Sequence, residues 1–160
     1  MSDTQPVEKA SIVVMSGDMD KVMGAFIIAT GAAAFDMQVS MFFTFWGLRA
    51  IQKGNLTGKG VMGRMLGVMN RGGIDRLGPS RLSFGGLGRV MFKTMMKKHK
   101  VMPLPQLLKR AQELGVKLTA CEMSMNVMEI RKEDLIDGVQ IGGVASFIAD
   151  ASDSKFSLFI

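Results

Sequence analysis

Short apolar runs that alternate with longer Ala- and Leu-rich stretches constrain the fold of this chain more than any other feature. "SIVVMS" at 11–16 reads as a strand, Gly17-Asp18 as a turn and N-cap, and "MDKVMGAFIIATGAAAF" at 19–35 is too long and Ala-rich for a strand. "MQVSMFFTF" at 37–45 is β-branched and aromatic, with apolar residues on both faces in its second half, as in a strand covered on both sides. "WGLRAIQK" then opens another helix. The alternation resumes with a helix at 103–115, which has Pro near its start and Gly at its end, a strand at 116–121 and a helix at 123–130. A strand at 139–143, a helix at 144–154 and a strand at 156–160 complete it. Parallel neighbours need a crossover, and a helix is the usual one. The expected fold is therefore α/β: a small doubly wound domain with a mainly parallel sheet of about five strands and helices on both faces. The 160 residues suit a single domain spanning 1–160, with a polar, frayed tail over 1–9.

Residues 54–100 break the pattern. This insertion holds eleven glycines and six methionines, and only 61–69 and 88–99 are long enough to be helical. From Arg49 to Lys100 there are twelve Lys or Arg residues against one acid, Asp75, so one segment carries the whole of the chain's +6 excess. A concentrated positive field speeds encounter with an anionic substrate or an acidic partner protein. Lys93, Lys97 and Lys98 are the partner-binding candidates. Nucleic acid is not expected, because Phe84 and Phe92 are the segment's only aromatics and make no regular stacking pattern. The apolar stretch from Val22 to Leu48 is interrupted by Gly24, Gly31, Asp36 and Gln38, and never reaches the ~18 uninterrupted residues of a membrane span. Peripheral membrane contact is the lesser expectation.

In doubly wound sheets, ligands bind beyond the carboxyl ends of the strands, so Ser16, Thr44, Cys121 and Gly142 are expected around one crevice. Nucleotide motifs are weak. "GNLTGKG" at 54–60 has three residues between its first glycines where a phosphate loop has four, and Gly60 stands where a hydroxyl should bind magnesium. "GGLG" at 85–88 follows no strand. His99 sits among cations and reads as a solvated surface residue. With one His and one Cys, a tetrahedral zinc site within the chain is excluded, and no metal or cofactor is expected. Cys121, Met125 and Met128 share a helical face that could hold Cu(I), although methionines so spaced are more often core filler.

Cys121 has two readings. At a helix N-terminus the backbone dipoles and free N–H groups lower a thiol's pKa and make it nucleophilic, an effect that Glu122 opposes. Equally, free cysteine is often a small buried hydrophobe. A lone cysteine forms no internal disulfide, and no signal peptide opens the sequence, so a reducing, cytoplasmic setting is expected and the Asn55-Leu56-Thr57 sequon has no meaning there.

Two blocks, "VSMFFTFWGL" at 39–48 and "KLTACEMSMNVMEI" at 117–130, together with "IVVMSGDMDK" at 12–21 and "MMKKHKVMPLPQLLKRAQELGVK" at 95–117, resemble the DsrE/DsrF/DsrH-like family, in its DsrE-like or peroxiredoxin-like branch. The resemblance implies a homo-oligomeric sulfur-relay protein of α/β fold. Its cysteine, matched by Cys121, would carry sulfane sulfur as a persulfide between partners such as rhodanese-like and TusA-like proteins, whether as a sulfurtransferase or as a plain carrier. Ser16, Gly17, Thr44 and Met123, with the N–H groups after Cys121, would form the substrate pocket. The PxxxTxxC arrangement of true peroxiredoxins is absent, which places a thiol peroxidase behind a carrier. The alternative of a different class is a non-enzymatic ligand- or partner-binding module with Cys121 buried. The apolar "FSLFI" at 156–160 would, at a sheet edge, be covered by another subunit.

Overall fold

In the computed structural model, residues 7–81 and 84–160 are described. The chain runs β1 (Lys9–Val14), α1 (Met19–Ala34), β2 (Gln38–Phe43), a 3-10 turn (Phe45–Ile51), α2 (Val61–Met69), α3 (Leu87–Lys98), α4 (Leu104–Glu113), β3 (Lys117–Cys121), α5 (Glu122–Val127), β4 (Val139–Gly142), α6 (Val144–Ser152) and β5 (Phe156–Phe159). The five strands form one sheet in the order β4-β3-β2-β1-β5, with every neighbouring pair parallel. This is the expected α/β fold.

Period-2 alternation assigns the two sides of the sheet. Ala10, Ile12 and Val14 of β1 and Met41 and Phe43 of β2 are buried in the main core, where α1 and α4 pack over them with Val22, Phe26, Leu107 and Ala111. The opposite side carries Ser11 and Val13, Ser40 and Phe42, and Thr119, and is covered by α6. There Phe147 meets Phe42 with ring centroids 5.4 Å apart, and Ser11 Oγ lies 3.0 Å from Ser40 Oγ and 2.7 Å from Ser154 Oγ. Helices thus lie on both faces. The chain steps from β1 to β2, β3 and β4 in one direction, then returns through α6 to place β5 on the far side of β1.

Three expectations need correction. Ser16 is not a strand end: β1 stops at Val14, and Ser16 belongs to the lead-in of α1, where its Oγ accepts from Asp18 N–H at 3.1 Å and donates to Asp18 Oδ2 at 3.0 Å. The segment after β2 forms a 3-10 turn in place of a regular helix. Its backbone presses on β1: a Cβ on Gly47 would stand 2.0 Å from Val14 O, and Phe45 holds a left-handed φ of 44°. The strand expected at 37–45 ends at Phe43, leaving Thr44 as the residue before that turn.

The insertion forms α2 and α3, close to the two predicted helical stretches. α2 buries its glycines, Gly63 and Gly67, and turns Val61, Met62, Met65, Val68 and Met69 outward. The loop before it is tied to the end of α5, since Glu129 accepts from Lys59 N–H at 2.7 Å and Gly60 N–H at 3.2 Å. Buried Asp134 anchors the loop after the 3-10 turn by accepting from Asn55 Nδ2 and from Arg131. Of the frayed tail expected over 1–9, residues 1–6 lie outside the described residues, while Lys9 already belongs to β1.

Candidate functional site

Cys121 ends β3 and is the N-cap of α5, with φ −69° and ψ 114°. Extended backbone at this position directs the N–H groups of the following turn towards the cap side chain. The thiol makes no cap hydrogen bond of full geometry, yet polar groups surround it. Burial pushes its pKa up, but the Ser124 hydroxyl, the Ser124 N–H, the Thr44 hydroxyl and the Met123 N–H together outweigh burial and hold it below the usual thiol value. Those groups favour the thiolate by donating to the charged sulfur. Thr44, at the end of neighbouring β2, and Ser124 stand 2.7 Å apart through their hydroxyl oxygens.

Cys121 is only 1% exposed, and Ser124 is fully buried. Its neighbour across the sheet is Gly142, in register at the end of β4, where a Cβ would lie 2.6 Å from Ser146 Oγ and 2.9 Å from Thr119 Cγ2. Glycine there lets α6 start close beside the thiol. The structure therefore brings together Cys121, Thr44, Gly142 and the Met123 backbone. The Met123 side chain points to solvent.

Ser16 and Gly17 do not join this group. They line a separate groove of about 700 Å³ with Met15, Trp46, Arg49 and Phe159, beyond the ends of β1 and β5. The single crevice expected from four strand ends is thus two places, because the 3-10 turn crosses between them. Lys93, Lys97 and Lys98 lie together on α3, exposed, although Lys93 Nζ donates to the Asp75 backbone carbonyl at 2.7 Å and has the Asp75 carboxylate 3.9 Å away, which partly offsets its charge. Lys93 and Lys97 both border a largely apolar cavity of about 510 Å³ with Met96, Met102 and Leu104. Met125, offered as a soft ligand beside Cys121, is buried in the core and Met128 packs against it. In "GNLTGKG" the N–H groups of Lys59 and Gly60 are taken by Glu129, leaving no phosphate cradle there. Among the described residues, no cluster of His, Cys, Asp or Glu is suited to a metal, and no helix is long and apolar enough to cross a membrane.

Sequence reasoning missed Ser124. The signal was present in "CEMS": a cap residue followed three places later by a hydroxyl is the spacing at which the first helical turn folds back on its cap.

A family model for the DsrE/DsrF/DrsH-like family matches residues 6–159. The chain belongs to this family. Among curated family relatives, it is 45% identical over 159 residues to the uncharacterized protein YrkE of Bacillus subtilis, covering 98% of this chain and 99% of that one. It is 32% identical over 160 residues to the sulfur carrier protein DsrE2 of Allochromatium vinosum, covering 96% and 98% of the two chains. The crystal structure of the ychN protein from E. coli shares the fold, with a TM-score of 0.57 at 14% identity, over 96% of this chain and all of that one.

Proposed function

We propose that this family member is a sulfur carrier in which Cys121 holds sulfane sulfur as a persulfide. The observation that carries the reading is the setting of the thiol: a strand-end cysteine at the N-cap of α5, beside the paired Thr44 and Ser124 hydroxyls, where burial raises the thiol pKa but these hydroxyls and two backbone N–H groups lower it by more. Its 32% identity to a protein named as a sulfur carrier points the same way. The Cys121 thiolate attacks the outer sulfur of a donor persulfide R–S–SH, the donor S–S bond breaks, and RS⁻ leaves with Cys121 as Cys–S–SH. An acceptor thiolate then attacks that outer sulfur and Cys121 thiolate departs, so no external oxidant or reductant is consumed. Ser124, Thr44 and the Met123 N–H stabilise the thiolate both as nucleophile and as leaving group. Ser16 and Gly17, in the neighbouring groove, would bind the donor's body and not the transferred sulfur.

Donor and acceptor proteins, such as rhodanese-like and TusA-like ones, would dock against the basic insertion through Lys93, Lys97 and Lys98, and a homo-oligomer in the cytoplasm is the form proposed. The decisive measurement is intact mass after incubation with polysulfide, or with thiosulfate and a rhodanese. Wild type should gain about 32 Da per sulfur atom, and Cys121→Ser should gain nothing. Equal gain on both, or none on wild type, would sink the carrier reading.

The near-complete burial of Cys121 favours a second reading, a binding module in which the thiol is core filler. Under that reading iodoacetamide labels Cys121 only in denaturant. Labelling of the native protein at a rate that rises with thiolate fraction supports the carrier, with local opening of α5 as the route of access.

A further inference from the structure

The groove beyond β1 and β5 lies where the chain's direction across the sheet reverses. α1 leaves β1 on one face toward β2, whereas β5 arrives beside β1 by way of α6 on the other face. Such switch points leave a crevice between diverging connections, the usual ligand position in open parallel sheets. Under the proposed function its Ser16 and Gly17 would meet only the body of a donor, since Cys121 stands two strands away, about 10 Å at the strand spacing of a sheet, and the transferred sulfur lies outside the groove.

The chemistry of the walls is specific. Arg49 and Asn70 both line this groove and also a small enclosed space of about 10 Å³ behind it, and their Nε and Nδ2 atoms are buried with no hydrogen-bond partner among the described residues. Arg49 makes one long contact, Nη2 to Arg71 O at 3.5 Å, and no carboxylate lies within salt-bridge distance among the described residues. Asp18 and Lys21 also line the groove, and the Asp18 carboxylate is occupied there by Lys21 at 3.0 Å and by Ser16. The Ile160 carbonyl is already taken by the Met15 and Ser16 N–H groups, at 2.7 and 3.3 Å. Buried donors without acceptors are costly. Desolvation accordingly lowers the Arg49 pKa, with Asp18 only partly opposing. Around these donors stand the apolar faces of Trp46, Met15 and Phe159, all exposed to the groove's solvent.

We infer that this groove binds a small organic anion, a carboxylate or sulfonate with a flat apolar body, whose acid group pairs with Arg49 and Asn70 while its body lies against Trp46. A planar guanidinium suits a two-oxygen acid group better than a point charge would.

Trp46 is the chain's only tryptophan, so its fluorescence reports on this groove alone. Titration with benzenesulfonate should give a saturable change at millimolar concentration, with neutral benzenesulfonamide about tenfold weaker, as expected for a hydrogen bond to a charged group. Arg49→Gln should lose about tenfold in affinity for benzenesulfonate. Asn70→Asp gives Arg49 an internal carboxylate; it should lose binding at least as far while melting at a higher temperature, so the comparison does not depend on a damaged fold. Lys132→Gln, on a distant exposed turn, should change nothing. Equal affinity for the sulfonate and the sulfonamide, undiminished binding by Asn70→Asp, or no saturable change up to about 10 mM benzenesulfonate would each overturn the inference.

Discussion

At the scale of single residues, the thiol of Cys121 is set between burial, which favours the neutral form, and four donors that favour the charged one. The donors prevail, so removing them has a signed consequence. Ser124→Ala and Thr44→Val should each raise the thiol pKa and slow alkylation at neutral pH by about threefold to tenfold, measured as iodoacetamide rate against pH. Unchanged profiles would mean that the hydroxyls bond only to each other. Linkage fixes the stability sign: the folded protein releases the Cys121 proton at lower pH than the unfolded chain. Stability relative to Cys121→Ser therefore rises with pH from the folded pKa up to the ordinary thiol value of about 8.5, and the gain is lost again as pH falls through the folded pKa. Cys121 was legible in the sequence because it is the chain's one cysteine at a strand-to-helix junction. Arg49 and Asn70 were not, since their burial and lack of partners arise from the path of a turn that no periodicity records.

At the scale of elements, the alternation of strands and helices was readable because each parallel strand needs two apolar sides and each crossover helix one. The 3-10 turn at Phe45–Ile51 was not, since its geometry follows from contact with β1. Gly47→Ala tests that contact. With Val14 O at 2.0 Å from the added Cβ, backbone must move, and a loss of about 2–4 kcal/mol is expected by denaturant titration. A loss below about 0.5 kcal/mol would show that the turn is free to shift. Gly67 lies in a stretch legible as helical, but its packing role was not: its Cβ would stand 2.3 Å from Thr57 O, so α2 lies directly on the preceding loop. Asp134 supplies the other tie. Burial raises its pKa, but Arg131 and Asn55 lower it by more, to a net value below the usual carboxylate range. Its contribution is thus present above the ordinary value of about 3.9 and lost as pH falls through the folded pKa. Asp134→Asn should cost about 1–3 kcal/mol at pH 7, and its melting temperature should converge with wild type in acid. A gap that persists at low pH would assign the effect to shape and not to charge.

At the scale of the whole molecule, the insertion presents two surfaces to solvent, one basic and one apolar. Because Lys93 is already paired with Asp75, Lys97 and Lys98 supply most of the free charge on α3. Reversing all three lysines to Glu should slow transfer to a partner protein and leave loading from a small polysulfide nearly unchanged, with a difference that shrinks as salt shortens the Debye length below about 8 Å. Equal transfer rates at low salt would reduce these lysines to a solvated face. The apolar surface makes a separate demand. α2 inverts the usual amphipathic order, burying Gly63 and Gly67 while leaving Val61 88%, Met62 75% and Met69 78% exposed, and Leu87 on α3 is 72% exposed. An apolar surface of this kind on a monomer is unusual, and a stable interface needs about 800 Å² from each partner. Self-association through α2 would supply that cover, and the flexible thioethers allow two copies to adapt to one another. Sedimentation at micromolar concentration should therefore show an oligomer for wild type. Met62→Glu with Val68→Glu should weaken it by at least about tenfold, because each buried carboxylate would face apolar surface, while the fold stays intact because both side chains already face solvent in the single chain. A wild type that sediments as a monomer, or a double variant that assembles equally well, would leave α2 free for a different protein, and the loss of partner-dependent transfer in the same variant would then identify it as that docking face.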